Sequence, residues 1–183
     1  MRANLLSLVV AICCWPCAAW ADLSLGRKAL AEGDYPSALS ELRPLAERGD
    51  AEACLLLGRM AENGWGMPQS DVAAWRWYKA AADRGEPQAL LRAGEFAESG
   101  RGVPLDRRLA FTLYQRAAEA GSAPAYRRMG EMALNGWGRK ADAADGVLWL
   151  RQAAAAGDRE AAETLAALAR QRPQAPEGFY SRP

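Results

Sequence analysis

The chain has 183 residues and no histidine. That removes imidazole acid–base catalysis, serine–histidine and cysteine–histidine nucleophiles, and histidine metal sites. Cysteine is scarce. Of four in all, Cys13, Cys14 and Cys17 crowd the start and only Cys54 stands in the body of the chain. A single cysteine makes neither an internal disulfide nor a metal cluster, so Cys54 is expected to be a buried, inert thiol. No cofactor or metal is expected. Charge of one sign is also missing, with 23 Lys and Arg against 22 Asp and Glu. Setting aside Arg2, the one charge in the first 21 residues, leaves 22 against 22. Nucleic-acid binding needs a basic surplus that this chain lacks. Long apolar runs are absent as well. The stretch Leu5–Cys14 falls short of the ~20 apolar residues that span a bilayer, and no later stretch is as apolar. No integral membrane span is expected.

The start of the chain has a pattern of its own. Arg2 is followed by the apolar run, and Ala19-Trp20-Ala21 precedes Asp22 as a small-x-small cleavage site. This reads as a signal peptide over residues 1–21, which places the mature chain in the periplasm or outside the cell. The residues before Cys13, Cys14 and Cys17 do not form a lipoprotein acylation box.

What the chain does have is a repeat. Ala51–Glu86, Pro87–Ser122 and Ala123–Asp158 are three segments of equal length, aligned without a gap. Glycine returns in four columns, as Gly58, Gly94 and Gly130; Gly64, Gly100 and Gly136; Gly66, Gly102 and Gly138; and Gly85, Gly121 and Gly157. Trp77, Leu113 and Trp149 share another column, beside Tyr78, Tyr114 and Leu150. A period of this size signals a solenoid. Each segment predicts two helices. Ala53, Leu57, Met60 and Ala61 mark one face of the first, and Ala74, Trp77, Tyr78, Ala81 and Ala82 mark one face of the second.

Punctuation supports this division. The Gly-x-Gly between helices predicts a tight turn with positive φ. Ser70, Asp106 and Asp142 suit the N-cap of the second helix, and Asp50, Ser122 and Asp158 that of the next first helix. Pro87 and Pro124 fit a first turn. Gly85, Gly121 and Gly157 predict left-handed stops. Gly58, Gly94 and Gly130 fall inside a helix, where glycine costs about 1 kcal/mol relative to alanine. Their shared column predicts a close approach by the second helix that leaves no room for a Cβ.

These units resemble Sel1-like repeats, a relative of the tetratricopeptide repeat. The resemblance is carried by Ala51-Glu52-Ala53, Leu57-Gly58, Glu62-Asn63-Gly64-Trp65-Gly66-Met67-Pro68-Gln69 and Trp77-Tyr78-Lys79-Ala80-Ala81-Ala82-Asp83-Arg84-Gly85, and again by Leu113–Gly121. The third unit departs from it at Arg139-Lys140 and at Gly146, which stands where the others have Ala74 and Ala110. The resemblance implies an all-α fold, a right-handed solenoid of antiparallel helix pairs. Some exported relatives tie each repeat with a cysteine pair, which this chain does not have.

Outside the repeats, residues 22–50 predict a tetratricopeptide-like pair, with helices over Ser24–Glu32 and Pro36–Arg48 and a kink at Pro44. Arg159–Gln171 predicts a capping helix with Ala162, Leu165, Ala166 and Leu168 as its apolar stripe. Residues 172–183, with Pro173, Pro176, Gly178 and Pro183, predict a flexible tail in which Phe179 and Tyr180 are the only bulky anchors.

Catalysis finds little footing. No Ser-x-x-Lys is present. The carboxylates nearest to a cluster are Glu62, Glu95, Glu98, Glu119 and Glu131, and their mixture with arginines reads as a solvated helical face. The chain is therefore expected to bind rather than catalyse. The resemblance implies that first helices line a concave face that holds a protein or peptide in the bacterial envelope. Candidate contacts there are Arg59, Arg92, Glu95, Tyr126, Arg128 and Glu131. Their neighbours Leu55 and Leu90 read equally well as core. Trp65 and Trp137, each between two turn glycines, either fold back on an adjacent helix or stay partly exposed as anchors. Since some relatives are linked to penicillin binding, the alternative is an envelope enzyme or binder acting on cell-wall fragments or β-lactams through Glu95 or Glu131.

Overall fold

The structure is a computed structural model that describes residues 22–171. The expected leader at 1–21 and the expected tail at 172–183, with Phe179 and Tyr180, lie outside the described residues. Within them the chain forms nine α-helices and no strand. These are α1 (Leu23–Glu32), α2 (Tyr35–Glu47), α3 (Ala51–Asn63), α4 (Asp71–Asp83), α5 (Pro87–Ser99), α6 (Arg107–Glu119), α7 (Ala123–Asn135), α8 (Ala143–Ala155) and α9 (Arg159–Gln171). Packing runs mainly between consecutive helices, so the fold is an all-α solenoid of antiparallel pairs.

Local chemistry sets the ends of the helices. Ser70, Asp106 and Asp142 each accept backbone N–H bonds from the first turn of α4, α6 and α8. Asp50 does the same for α3 and Asp158 for α9. Ser122 departs from expectation, because its side chain makes no cap bond. The second residue of α7 is Pro124, which has no N–H to give, and the N–H of Ala125 is already bonded to the Ser122 carbonyl. Glu86 caps α5 instead of a shorter residue. The glycines that follow α3, α5 and α7 adopt φ of 72°, 73° and 71°, and Gly85, Gly121 and Gly157 adopt 85°, 87° and 92°. Pro44 sits inside α2, which continues past it to Glu47.

The predicted stripes form a core that runs from α2 to α7, with a smaller cluster of Leu150, Ala153 and Ala161 at the α8–α9 end. Ala53, Leu57, Met60 and Ala61 are fully buried, as are Ala74, Tyr78, Ala81 and Ala82, and their counterparts along the stack are buried except Ala154, which is partly buried. Burying a leucine or methionine side chain contributes roughly 1.5–3 kcal/mol. A 13-residue helix such as α3 is marginal alone, so each pair depends on the next. Trp75 and Trp77 pack at the margin of this core. On α9 the expected stripe is corrected by one position. Ala161 is buried while Ala162 and Ala166 are exposed. The face that meets α8 is Ala161, Leu165 and Leu168, at the 4 and 3 spacing of a helix.

The mid-helix glycines have the predicted explanation, with an unexpected neighbour. A Cβ on Gly58 would lie 2.6 Å from the ring of Tyr78, and one on Gly94 would meet the ring of Tyr114. In the third repeat the neighbour is Leu150, at 2.8 Å from such a Cβ on Gly130. It is a large side chain of the second helix, more than its backbone, that fills the space.

Candidate functional site

Two sets of contacts fasten each repeat to the next, and together they decide which side chains remain for a partner. The first set starts from the core tyrosines. Tyr78 donates its hydroxyl to Glu62 at 2.6 Å, and Tyr114 donates to Glu98 at 2.7 Å. Each carboxylate also receives an arginine from the following repeat. Arg92 Nη2 reaches both oxygens of Glu62 at 2.7 and 2.6 Å, and Arg128 Nη2 reaches Glu98 at 2.9 Å. Nη1 of each guanidinium holds a carboxylate on its own helix, Glu95 at 2.6 Å and Glu131 at 2.9 Å. The result is a Tyr–Glu–Arg–Glu ladder across two repeat junctions.

Burial makes this ladder costly to break. Glu62 is only 9% exposed. Burial alone would push its carboxyl pKa up, but the Tyr78 hydroxyl and the Arg92 and Arg101 guanidiniums outweigh it and hold the group below its ordinary value. Burial, and then the adjacent carboxylate, push the phenols of Tyr78 and Tyr114 upward. The expectation of a solvated carboxylate face is thus corrected. Glu62 and Glu98 are fastening groups, bonded to a tyrosine and to an arginine 30 positions on. Glu119 does not join them; it lies exposed on α6, accepting from Gln115.

The third repeat shows what the ladder replaces. Leu134 and Leu150 stand where the first two repeats have Glu and Tyr. Leu134 needs room, and Gly146 provides it: a Cβ there would lie 2.6 Å from Leu134 Cγ. Three substitutions in one repeat therefore form a single apolar alternative to a hydrogen-bonded pair.

The second set of contacts lies at the loops. Trp65 stacks on Tyr35, with ring centroids 5.6 Å apart and an interplanar angle of 2°. Arg101, in the same column, bonds Asp71 at 2.6 Å and Glu62 at 3.1 Å. Trp137 lies under the guanidinium of Arg107, 5.4 Å from its carbon. Tyr35, Asp71 and Arg107 are the first residues of α2, α4 and α6. Each loop residue thus sits on the preceding pair by stacking, by an ion pair or by cation–π attraction. The turn glycines allow this approach: a Cβ on Gly66 would lie 3.1 Å from the Tyr35 carbonyl oxygen, and one on Gly102 would strike the Asp71 carbonyl. Trp65 is half-buried and Trp137 is 37% exposed.

The eight sequence candidates can now be placed. Arg59, Trp65 and Arg92 line one groove with Leu55, Asn63, Gln88 and Leu91. A second cavity shares Leu55, Arg59, Trp65 and Gln88 and extends the groove towards Arg27, Leu30 and Glu52 on the N-terminal side. Each measures about 470 Å³. Glu95, Arg128 and Glu131 belong to the ladder. Tyr126 stacks on Trp149 at 6.0 Å. Trp137 lines neither cavity. The apolar neighbours of these candidates are core, as the sequence reading expected of Cys54 and allowed for Leu55 and Leu90. Cys54, Leu55, Leu56 and Leu90 are between 1% and 7% exposed, because α3 and α5 are enclosed by helices on both sides. Burial pushes the Cys54 thiol pKa up, as an inert cysteine requires. Gln88 is a lining residue that the sequence reading missed. Its column holds Glu52, Gln88 and Pro124, and three unlike residues give no signal.

Among the described residues no group of three or more His, Cys, Asp or Glu is placed to hold a metal, and no helix is long and apolar enough to cross a membrane.

Comparison with known proteins accounts for this architecture. The family model described as Sel1 repeat matches residues 51–86, 87–122 and 123–158. Among solved structures, the chain is similar to a Sel1 repeat protein from Oxalobacter formigenes, at 26% identity and a TM-score of 0.77, over 82% of this chain and 62% of that one. It is also similar to a protective antigen present in uropathogenic Escherichia coli strains that displays an SLR fold, at 27% identity and 0.77, over 82% of this chain and 33% of that one. The chain thus spans less than two thirds of the length of either. Cysteine rich protein B of Helicobacter pylori shares the fold at 19% identity and a TM-score of 0.54, over 68% of this chain and 95% of that one. A search of curated proteins finds no match.

Proposed function

With three contiguous matches over more than half its length, the chain belongs to the Sel1 repeat family, and we propose that it works as a bacterial envelope adaptor whose first-repeat groove holds a protein or peptide. Proteins of this family are generally scaffolds for protein–protein interaction. The envelope setting is supported by the leader pattern at residues 1–21. Recovery from the periplasm with Asp22 as the first residue would agree with it; a cytosolic chain that keeps residue 1 would contradict it.

One observation carries the choice of surface. The ladder consumes Arg92, Glu95, Arg128 and Glu131, whereas Arg59 stays exposed in the groove with no ion-pair partner among the described residues. Apolar floor, aromatic wall and an uncommitted guanidinium are what a binding cleft offers. Reversing Arg92 or Arg128 would disturb the junctions between repeats, so Arg59→Glu is the cleaner variant. In a cross-linked pull-down of the full chain from the envelope fraction, Arg59→Glu is expected to lower capture of the partner at least tenfold. Thr112→Lys, on the exposed face of α6, is expected to leave capture unchanged. Equal capture by wild type and Arg59→Glu would overturn the assignment of the groove.

A further inference from the structure

We infer that the segment seated in this groove is an extended peptide that presents an aliphatic side chain beside a single carboxylate. The inference rests on the binding reading above and names the chemistry of the partner. It starts from a column exchange. In the second and third repeats the two ladder columns on the first helix hold Arg92 with Glu95 and Arg128 with Glu131. In the first repeat the same two columns hold Leu56 and Arg59. The cation has moved one turn along the helix, into the column where its partner carboxylate would stand. Leucine replaces the arginine, and no carboxylate on α3 answers Arg59. This junction has no need of an arginine at 56, because Gly26 of α1 packs against Leu42 as Gly58 packs against Tyr78, which puts Leu30, and no carboxylate, in the place of Glu62 and Glu98.

The charges along the groove then add up to one unmet cation. Arg27 pairs with Glu52 at 3.1 Å, and Arg92 pairs with Glu62 and Glu95 at 2.6 Å each. Arg59 has no such partner among the described residues. One carboxylate satisfies it, and with Arg27 and Arg92 already paired the lining has, among the described residues, no further free cation for a polyanion such as a nucleic-acid strand. Leu30, Leu55, Leu56 and Leu91 floor the two cavities and ask for an apolar side chain. The Gln88 side-chain amide makes no hydrogen bond within the described residues, so it brings both a donor and an acceptor to the groove. A peptide group needs both. A neutral glycan would leave the leucine floor and Arg59 without complement.

The test uses the full chain and an array of short Gly/Ser peptides, each carrying one Leu followed at several spacings by Asp, Asn or Lys. Leu–Asp peptides are expected to bind at least tenfold more tightly than their Leu–Asn counterparts, and Ala in place of Leu should abolish binding. Arg59→Glu, shown by circular dichroism to keep its helices, is expected to lose the preference for Asp and to favour Lys. Equal binding of Asp, Asn and Lys peptides would overturn the inference, as would an Arg59→Glu variant that behaves like wild type. Binding of purified glycan strands with no binding of peptides would overturn it too. If no peptide binds while Arg59→Glu still loses the partner captured from the envelope, the peptide chemistry is wrong and the binding reading stands. If the variant changes neither, both fall.

Discussion

Replacing Glu98 by leucine is expected to lower the unfolding free energy by about 2–3 kcal/mol in a urea titration. Removing one member of a buried ion pair costs about 3–5 kcal/mol. Arg128 keeps a 31% exposed side chain, so water screens part of that loss and the lower end applies. The Tyr114 hydroxyl loses its acceptor as well. The third repeat supplies the repair. Adding Tyr114→Leu and Ala110→Gly to Glu98→Leu copies Leu134, Leu150 and Gly146, and it is expected to bring stability back to within about 1 kcal/mol of wild type. Glycine at 110 matters there, since Leu134 fits only against a residue without a Cβ. A neutral single variant would show that the ladder contributes nothing. A triple variant no better than the single would show that the three positions are not coupled.

Gly102→Ala is expected to cost about 2–4 kcal/mol, and Gly85→Ala only about 1 kcal/mol. Both glycines have positive φ, 65° and 85°, and that conformation costs an alanine roughly 1–2 kcal/mol. The difference lies in the surroundings. A Cβ on Gly85 meets nothing within 4 Å, while one on Gly102 strikes the Asp71 carbonyl of the preceding repeat. Backbone cannot turn aside as a side chain can, so overpacking adds about 1–3 kcal/mol. Thermal unfolding of the two variants in parallel reads the comparison. Equal losses would mean that the loop does not press on α4 as described.

The contrast between these two glycines marks where sequence reading succeeds. Positive φ, caps and helix faces are local properties, set by residues within a few positions, and the period displayed each of them several times. Ser70, Asp106 and Asp142 were legible as caps because the bond they make stays within one turn. The ladder was harder to see. Glu62 and Glu98 look like ordinary exposed helix residues until Arg92 and Arg128 arrive from 30 positions away. A signal was nevertheless present in the columns: Glu occurs with Tyr twice, and Leu134 with Leu150 once, together with the otherwise puzzling Gly146. The loop contacts are similar. Trp65 with Tyr35, Arg101 with Asp71, and Trp137 with Arg107 are chemically matched pairs, set between columns that vary. Variation between repeats that looked like drift is in fact complementary. The groove was the least legible part, because it depends on what the ladder leaves over. Arg59, Arg92 and Arg128 carry the same side chain, and only their carboxylate neighbours separate a fastening arginine from a free one.

Site-directed photo-crosslinking compares the two faces of the solenoid most directly. A photoreactive residue at position 91, in the groove, is expected to capture the partner, and one at position 148, on the exposed side of α8, is expected to capture none. Capture from position 148 with none from position 91 would contradict the account, because it would put the partner on the outer helices and leave the groove unused.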